Sequence, residues 1–236
     1  MIGTELLDDR RADPVAVGHE LRDIARLNGL FGGRRAVVRE LERFFERGTG
    51  DAERERGEPW TLLDIGTGLG DIPRAAARAA RRYGIALRLI GIEVNRAAAR
   101  LAQAYDRTFP LAAILADGGT PPLAPGSVDI VLVSQVLHHL TRAAAVRWLT
   151  ACNALARRAV VIADLRRSRL AMAGVWAACL ALGMDRVTRH DAVLSLRRGY
   201  TRREISEMLA EAGVKAVVRY RRGSRIVASW SPGPRS

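Results

Sequence analysis

The chain shows two kinds of hydrophobic periodicity, one before residue 48 and another after residue 60. Across 13–47, apolar residues recur every three to four positions, which predicts two helices separated at Gly32-Gly33. The stretch 48–59 is charged and contains glycine, so we predict a linker there. We therefore expect an N-terminal helical cap over residues 1–58 and a second domain over residues 59–236.

Short apolar runs alternate with amphipathic stretches over the remainder of the chain. The runs predict strands at 61–65, 87–94, 112–116, 130–134 and 159–164, with helices at 72–83, 96–107 and 142–157 between them. A capping box from Thr201 to Glu204 opens a helix that closes at Gly213, and the last two strands, 216–221 and 226–230, form a hairpin around Gly223. This order predicts an α/β fold with a doubly wound, mostly parallel, seven-stranded sheet and helices on both faces.

The segment 170–184 differs from its surroundings because it is apolar on every face. Three interpretations stay open: a buried helix, a lid or wall beside an apolar substrate, or a helix that makes weak contact with a membrane surface. Flanking arginines favour the third interpretation (Arg166, Arg167, Arg169 and Arg186). The run is about five residues too short to span a membrane, so no transmembrane segment is expected. We assign 168–200 to a helical lid or insertion after the fifth strand.

The charge balance is strongly basic, with a formal net charge of +13. Such a charge is typical of nucleic-acid-binding proteins, but here the arginines are dispersed and Lys215 is the only lysine. We therefore expect solvated helix faces and no specific nucleic-acid partner. Cys152 and Cys179 form neither a disulfide framework nor a metal-ligand spacing, so no metal is expected. These cysteines and the absence of an apolar leader predict a cytoplasmic protein; its oligomeric state is not readable.

The most informative motif is Leu-Asp-Ile-Gly-Thr-Gly-Leu-Gly across 63–70, where an apolar strand runs into Gly66, Gly68 and Gly70 before a helix. Glycines here let a ligand approach the backbone, and the helix presents free N–H groups. A dinucleotide fingerprint would read G-x-G-x-x-G, whereas this motif reads G-x-G-x-G with Asp64 two positions earlier. An acidic strand tip suits the ammonium and sulfonium of S-adenosylmethionine, which has no pyrophosphate. The spacing favours that ligand.

With these residues the sequence resembles motif I of class I, Rossmann-like S-adenosylmethionine-dependent methyltransferases. The resemblance implies that Glu93, at the end of the second strand, accepts hydrogen bonds from both ribose hydroxyls. It implies that Asp117 accepts one from the adenine amino group and that the backbone N–H of Gly118 donates to the ring. The stretch 123–140 is similar to the segment that joins the third and fourth strands in these enzymes. That likeness places Ser134 and Gln135 beside the methyl donor, whose product is S-adenosylhomocysteine.

Two histidine positions are candidates for accepting a proton from the substrate. His138 and His139 follow the fourth strand directly, and an unperturbed histidine pKa near 6.5 suits a general base. We predict His139 as the base, although a structural or cofactor-positioning role stays open. His190, beside Asp191, is the second candidate and lies in the predicted lid.

The reaction expected from this resemblance is attack by a substrate oxygen on the donor's methyl carbon. The family resemblance extends to bacterial enzymes similar to the ubiquinone/menaquinone and polyketide-tailoring methyltransferases. The segments 163–169 and 189–198 look like a bacterial subgroup often encoded beside type III polyketide synthases, which implies a small phenolic, polyketide or quinone-like acceptor.

A nucleic-acid methyltransferase is an alternative. However, the Asn/Asp-Pro-Pro-Tyr/Phe signature is missing after the fourth strand, and neither cysteine is placed as a nucleophile. A non-catalytic, donor-binding regulatory module also stays open.

Overall fold

The computed structural model describes residues 5–9, 11–48 and 58–233. Seven strands form one sheet in the order β3-β2-β1-β4-β5-β7-β6. The strands are β1 Trp60–Ile65, β2 Leu87–Glu93, β3 Leu111–Leu115, β4 Val128–Ser134, β5 Ala156–Leu165, β6 Val217–Arg221 and β7 Arg225–Trp230. The first five are parallel to one another, whereas β7 runs antiparallel to both β5 and β6. The predicted mostly parallel, doubly wound sheet is confirmed.

Eight α-helices accompany the sheet in the described part of the chain. They are α1 Pro14–Leu30, α2 Gly33–Arg47, α3 Asp71–Arg81, α4 Arg96–Ala104, α5 Arg142–Leu155, α6 Arg169–Ala181, α7 Arg186–Arg198 and α8 Arg202–Glu211. Local chemistry sets their ends: Asp13 caps α1 by accepting from the backbone N–H of Ala16, and the predicted capping box opens α8. The two N-terminal helices separate at Gly32, in the left-handed region at φ 74°, as the sequence predicted.

Strand β4 shows why the central strands read as unbroken apolar runs. Ile130 and Leu132 pack into the core under α2 and α3, while Val131 and Val133 face the opposite core under α5 and α8. A strand buried on both faces needs apolar residues at every position, which is typical of parallel sheets covered by helices on both sides. All four of these side chains are essentially inaccessible to solvent.

The strand order reverses between β1 and β4. Strand β1 leads through α3 to β2 on one side, and its other neighbour is β4. In open α/β sheets, ligands bind outside the carboxyl ends of the strands at such a switch point. The glycine motif follows β1, and the histidine pair follows β4, in a 3-10 turn spanning Leu137–His139. The topology therefore brings both predicted motifs to the same crevice.

The buried-helix interpretation of 170–184 is wrong. Helix α6 forms there, but Cys179 is its only buried residue, because α6 packs mainly on α7 outside the sheet. No helix among the residues that the structure describes is long and apolar enough to cross a membrane. Most of the predicted linker, at 49–57, lies outside the described residues, and the division into a cap and a second domain stays a prediction.

Candidate functional site

A cavity of about 1140 Å³ opens at the carboxyl ends of β1, β2 and β4. Most of the residues predicted for the site line it: Asp64, Gly66, Gly68, Glu93, Asp117, Gly118, Ser134, Gln135 and His139. Two others lie elsewhere. Gly70 sits behind the cavity at the start of α3, in the left-handed region at φ 69°. The side chain of His190 is 66% exposed and bonds its neighbour Asp191, so the structure does not bring it to the cavity.

The glycine loop has a backbone path that other residues could not follow. Gly66 has φ 74°, and a Cβ at that position would lie 2.4 Å from Cγ2 of Val136. Gly68 also has a positive φ of 53°. Its backbone N–H and that of Gly66 are fixed by acceptors on β2, the carboxylate of Glu93 and the carbonyl of Ile92. The glycine loop is therefore held in a fixed conformation at the edge of the cavity, where no side chain of Gly66 or Gly68 would block a ligand.

Asp64 presents an unpartnered carboxylate oxygen at the tip of β1. Its side chain is buried, and Thr67 Oγ1 donates to Oδ2 at 2.8 Å, while Oδ1 has no partner among the described residues. Burial raises the pKa of this carboxyl to about 7, and the negative charges of Asp71 and Glu93 act in the same direction against the bond from Thr67. A cation in the cavity would satisfy this oxygen and favour the ionised form.

Glu93 and Asp117 stand on neighbouring strand ends, as predicted. Glu93 Oε2 accepts from the backbone N–H of Gly68 at 3.1 Å, and Oε1 accepts from Val94 and Asn95. The Asp117 side chain accepts from the backbone N–H of Gly119 at 2.8 Å. Both carboxylates line the cavity, in positions from which a ligand's hydroxyl or amino groups could be bound.

Gln135 belongs to a polar cluster that sequence reasoning did not find. The residue has a φ of 58°, rare for a side chain other than glycine and often found at functional sites. Its Nε2 donates to Oδ1 of Asn28 at 2.6 Å, and its Oε1 accepts from Nη1 of Arg225 at 2.6 Å. Nη2 of Arg225 also donates to Asn28. Three elements distant in sequence therefore meet here: α1, β4 and β7.

Arg225 is a buried cation with neutral partners. It is 5% exposed, lines the cavity, and leaves Nε without a partner among the described residues. Burial lowers its pKa to about 10, against the attraction of Asp164 and Asp71. The signal in the sequence is an arginine opening an apolar strand, Arg225-Ile-Val-Ala, which periodicity alone does not assign to a pocket.

Each histidine of the pair has a carboxylate on Nδ1. His138 Nδ1 lies 2.6 Å from Oδ1 of Asp164; both side chains are buried, and Nε2 of His138 has no partner among the residues described. His139 Nδ1 lies 2.6 Å from Oδ1 of Asp8, and its Nε2 is 3.7 Å from Oε2 of Glu5. A carboxylate on Nδ1 orients the imidazole and leaves Nε2 to act on a second group.

The surroundings of His139 stabilise its charged form. Burial alone would lower its pKa, but the hydrogen bond to Asp8 and the charges of Glu5, Asp8 and Asp164 outweigh it, so the pKa is raised. Arg198 compensates the two acids of the N-terminal turn: it lies 3.0 Å from Oε1 of Glu5 and 3.1 Å from Oδ2 of Asp8. Glu5, His138 and His139 also place metal-ligand atoms within 4.8 Å of one another, although Glu5 already binds this guanidinium.

The outer wall of the cavity is apolar. Leu21, Ile24 and Leu27 of α1 face Val175 of α6 and Leu196 of α7. Polar contacts deeper in the wall tie these helices together. Thr188 Oγ1 on α7 donates to Oε2 of Glu20 on α1 at 2.8 Å, and burial raises the pKa of Glu20 to about 7. Polar residues at the strand ends therefore line one half of the cavity, and mainly apolar residues on helices line the other half.

Comparison with known proteins agrees with the interpretation of the fold and the glycine loop. Residues 63–160 match the family model described as a methyltransferase domain. No curated protein matches the chain significantly in sequence.

Solved structures share the fold at low identity. PigF crystallised with SAH has a TM-score of 0.62 at 16% identity, covering 97% of this chain and 62% of its own. The magnesium protoporphyrin IX methyltransferase of Synechocystis PCC 6803 with bound SAH has a TM-score of 0.55 at 15% identity, and the match covers 85% of this chain and 82% of that enzyme. A SAM-dependent methyltransferase from Aquifex aeolicus has a TM-score of 0.53 at 15% identity, and the match covers 72% of this chain and 80% of that enzyme. Residues 63–160 thus match a methyltransferase domain, and the chain has the Rossmann-like fold of these solved S-adenosylmethionine-dependent methyltransferases.

Proposed function

We propose that this enzyme transfers the methyl group to an oxygen of a small apolar or aromatic acceptor, with a phenolic, polyketide or quinone-like compound favoured. The observation that carries the proposal is the two-sided cavity. Its strand ends offer groups suited to the donor, its helical wall offers apolar surface, and the histidine pair lies between them. When bound, the donor supplies an activated methyl group on a sulfonium leaving group.

The chain's own residues would hold the donor by three kinds of contact. Glu93 and Asp117 would accept hydrogen bonds from the ribose and adenine, and the backbone N–H of Gly118 would donate to the ring. The unpartnered Oδ1 of Asp64 would face the donor's cationic end, since an ionised carboxylate there gains a partner that it otherwise lacks. Gly66 and Gly68 would allow the close approach, and Ser134 would lie beside the methyl group.

Arg225 supports a fourth contact. A carboxylate is the natural partner of a buried guanidinium, and Asn28 and Gln135 fix this one without neutralising it. We assign the donor's carboxylate to Arg225, with Gln135 orienting the arginine. The pairing would place opposite charges at the two polar ends of the amino-acid part of the donor, Asp64 at the ammonium and Arg225 at the carboxylate.

The proton of an acceptor hydroxyl would pass to the histidine pair as the new C–O bond forms. His139 is the base proposed from the sequence. The geometry adds His138, because it lines the cavity and its buried Nε2 has no partner among the described residues while Asp164 holds Nδ1. The two assignments differ in the carboxylate that holds the base: Asp8 for His139, and Asp164 for His138.

A turnover assay with labelled donor tests the proposal against its alternatives. The panel contains phenols, hydroxyquinones, carboxylic acids and RNA, each at low and physiological salt. We expect methylation of a phenol or hydroxyquinone that is insensitive to salt, and only salt-sensitive, sequence-independent RNA binding, because dispersed arginines bind phosphates by counterion release. Methylated RNA with unreacted phenols would overturn the proposal in favour of a nucleic-acid substrate.

A further inference from the structure

Helix α6 exposes an apolar surface that the described chain leaves uncovered. Leu170 is 85% exposed, Trp176 50% and Leu180 51%. Just after the helix, Leu182 and Val187 continue the surface at 49% and 47% exposure. We call these five side chains the α6 surface. Single exposed apolar residues are ordinary on protein surfaces, but five large ones on α6, the turn after it and the start of α7 mark a candidate binding face.

The cavity explains only the inner side of this helix. Ala171, Gly174 and Val175 line the cavity, so their apolar character fits an apolar acceptor. Trp176 and Leu180 do not line it and point to solvent. Leu170 belongs to both sides, since it lines the cavity and is the most exposed large hydrophobic residue of the helix. Helix α6 is therefore a thin wall with a second apolar face that the described chain does not cover.

Charge is confined to the two ends of the α6 surface. The sequence carries no charged residue between Arg169 and Asp185. Exposed arginines stand at both ends, Arg166 and Arg169 before the run and Arg186 after it, where the exposed Asp185 also lies. An apolar face with an exposed tryptophan and with arginines at its ends is the pattern of helices that lie in the interface of an anionic bilayer.

A second copy of the chain fits this surface poorly. Pairing two α6 helices in parallel brings Arg166 and Arg169 of one copy against the same arginines of the other, and like charges facing each other across a contact cost free energy. In an antiparallel pair these arginines meet Asp185 and Arg186, whose opposite charges give no net attraction. Anionic headgroups, by contrast, are attracted to all of the exposed arginines. The charge pattern thus selects an anionic lipid surface over self-association.

We propose that the α6 surface docks on an anionic lipid bilayer, with Leu170, Trp176 and Leu180 at the acyl boundary and Arg169 and Arg186 on the headgroups. In this orientation Leu170, at the edge of the cavity, faces the lipid. An apolar acceptor dissolved in the bilayer would then enter the cavity beside α6; this last step rests on the proposed function, whereas the docking does not.

Vesicle binding with tryptophan fluorescence tests the docking on the full chain. Trp60, Trp148 and Trp230 are buried at 3%, 9% and 6% exposure, so Trp176 is the tryptophan that contact with lipid would affect. Vesicles of phosphatidylcholine with equal phosphatidylglycerol should shift its emission to shorter wavelength, and brominated acyl chains should quench it. Pure phosphatidylcholine vesicles should give a much weaker response.

Matched variants separate docking from general effects. Leu180→Asp should reduce co-sedimentation with anionic vesicles at least tenfold, whereas Val217→Asp, equally exposed at 51% but at the far end of edge strand β6, should not. Arg169→Gln with Arg186→Gln should weaken binding roughly twenty- to thirtyfold, since one arginine near an anionic surface contributes about fivefold. Arg88→Gln with Arg100→Gln removes the same charge elsewhere and should change binding little. Circular dichroism melts confirm that each variant is folded.

Three outcomes would overturn the docking. One is equal binding to neutral and anionic vesicles, or none to either, by wild-type protein that binds S-adenosylmethionine in calorimetry. Another is equal loss of binding in the Leu180 and Val217 variants. The third is a lipid-free dimer that Leu180→Asp dissociates in sedimentation, which would make a second copy the occupant. Failure to bind S-adenosylmethionine, with vesicle binding intact, would instead count against the proposed function alone.

Discussion

The two halves of the cavity are built in different ways. On the donor side, Asp64, Glu93 and Asp117 lie at the carboxyl ends of three strands that are adjacent in the sheet, and the contacts described for them join residues at most 25 positions apart. On the acceptor side, the contacts join residues far apart in sequence, such as Asp8 with His139 and Glu20 with Thr188. Apart from the Arg225 contact, the donor side is therefore a local consequence of strand and loop, whereas the acceptor side exists only in the completed fold.

The histidine pair gives the sharpest test, because it lies where the two halves meet. A general base contributes about 10²- to 10⁴-fold to turnover, so alanine at the true base should cost that factor while donor affinity changes little. We expect the loss for His139→Ala or His138→Ala, measured as kcat with saturating donor. His190→Ala is the exposed control and should retain activity. If both variants of the pair keep near-normal turnover from pH 6 to 9, neither histidine is the base.

Removing a donor-side carboxylate should have the next largest effect. Glu93→Ala and Asp117→Ala should each weaken S-adenosylmethionine binding about ten- to a hundredfold, at ~1.4 kcal/mol per tenfold. Isothermal calorimetry measures this directly, with Glu207→Ala on the exposed face of α8 as the control. Tight binding of a nicotinamide dinucleotide in place of S-adenosylmethionine would contradict the donor assignment.

Asp64 should make donor binding depend on pH. Its raised pKa of about 7 means that the free protein holds this carboxyl partly protonated, and a cationic ligand end must bind the ionised form. Binding should therefore weaken as the pH falls through 7, by roughly tenfold between pH 8 and pH 6 for a single group. Asp64→Asn should bind more weakly at pH 8 and lose this dependence. A wild-type affinity that does not change over the range would place the donor's ammonium elsewhere.

The smallest expected effect concerns the acceptor side. His139 acts as a base only when it is neutral. Because its pKa is raised, the loss of rate at low pH (the acid limb of the rate profile) should occur at a pH above the ordinary histidine pKa. Asp8→Asn removes a charge that favours the imidazolium and should move this limb to lower pH by about one unit. Asp9→Asn, one residue further on and exposed, is the control. An unshifted limb in Asp8→Asn would favour His138, whose Nδ1 partner is Asp164.

The difference between the halves explains what the sequence could predict. The succession of strands and helices, the glycine loop and the acidic strand ends follow from periodicity and short spacing, and Gly66, Gly68 and the three acidic residues line the cavity. Arg225 could not be found in this way, because its partner Asn28 is 197 residues away. His190 was misleading for a related reason: on α7, Thr188, Asp191 and Ser195 share the inward face, which turns His190 outward. Sequence shows that a residue is chemically suitable, but helix phase decides where it points.

The segment 170–184 illustrates the same limit for apolar patterns. An all-apolar helix in the sequence is compatible with burial, with a pocket wall or with a lipid surface, because each needs the same side chains. Only the packing of α6 on α7, outside the sheet, excludes burial. The inner face of the helix then supports the pocket wall, and the outer face supports docking.

The ion pairs between the N-terminal turn and α7 also fix the timing of folding. Glu5 and Asp8 pair with Arg198, and the backbone N–H of Leu6 donates to Asp191 at 2.7 Å, across 185 residues or more. During synthesis the first residues leave the ribosome long before their partners, so the turn has nothing to dock on until α7 has been made. Strands β1 to β5 can begin to pair earlier, and the histidine pocket closes only once α7 is in place. Pulsed hydrogen exchange during refolding should accordingly protect the Leu6 amide after those of β1 and β4.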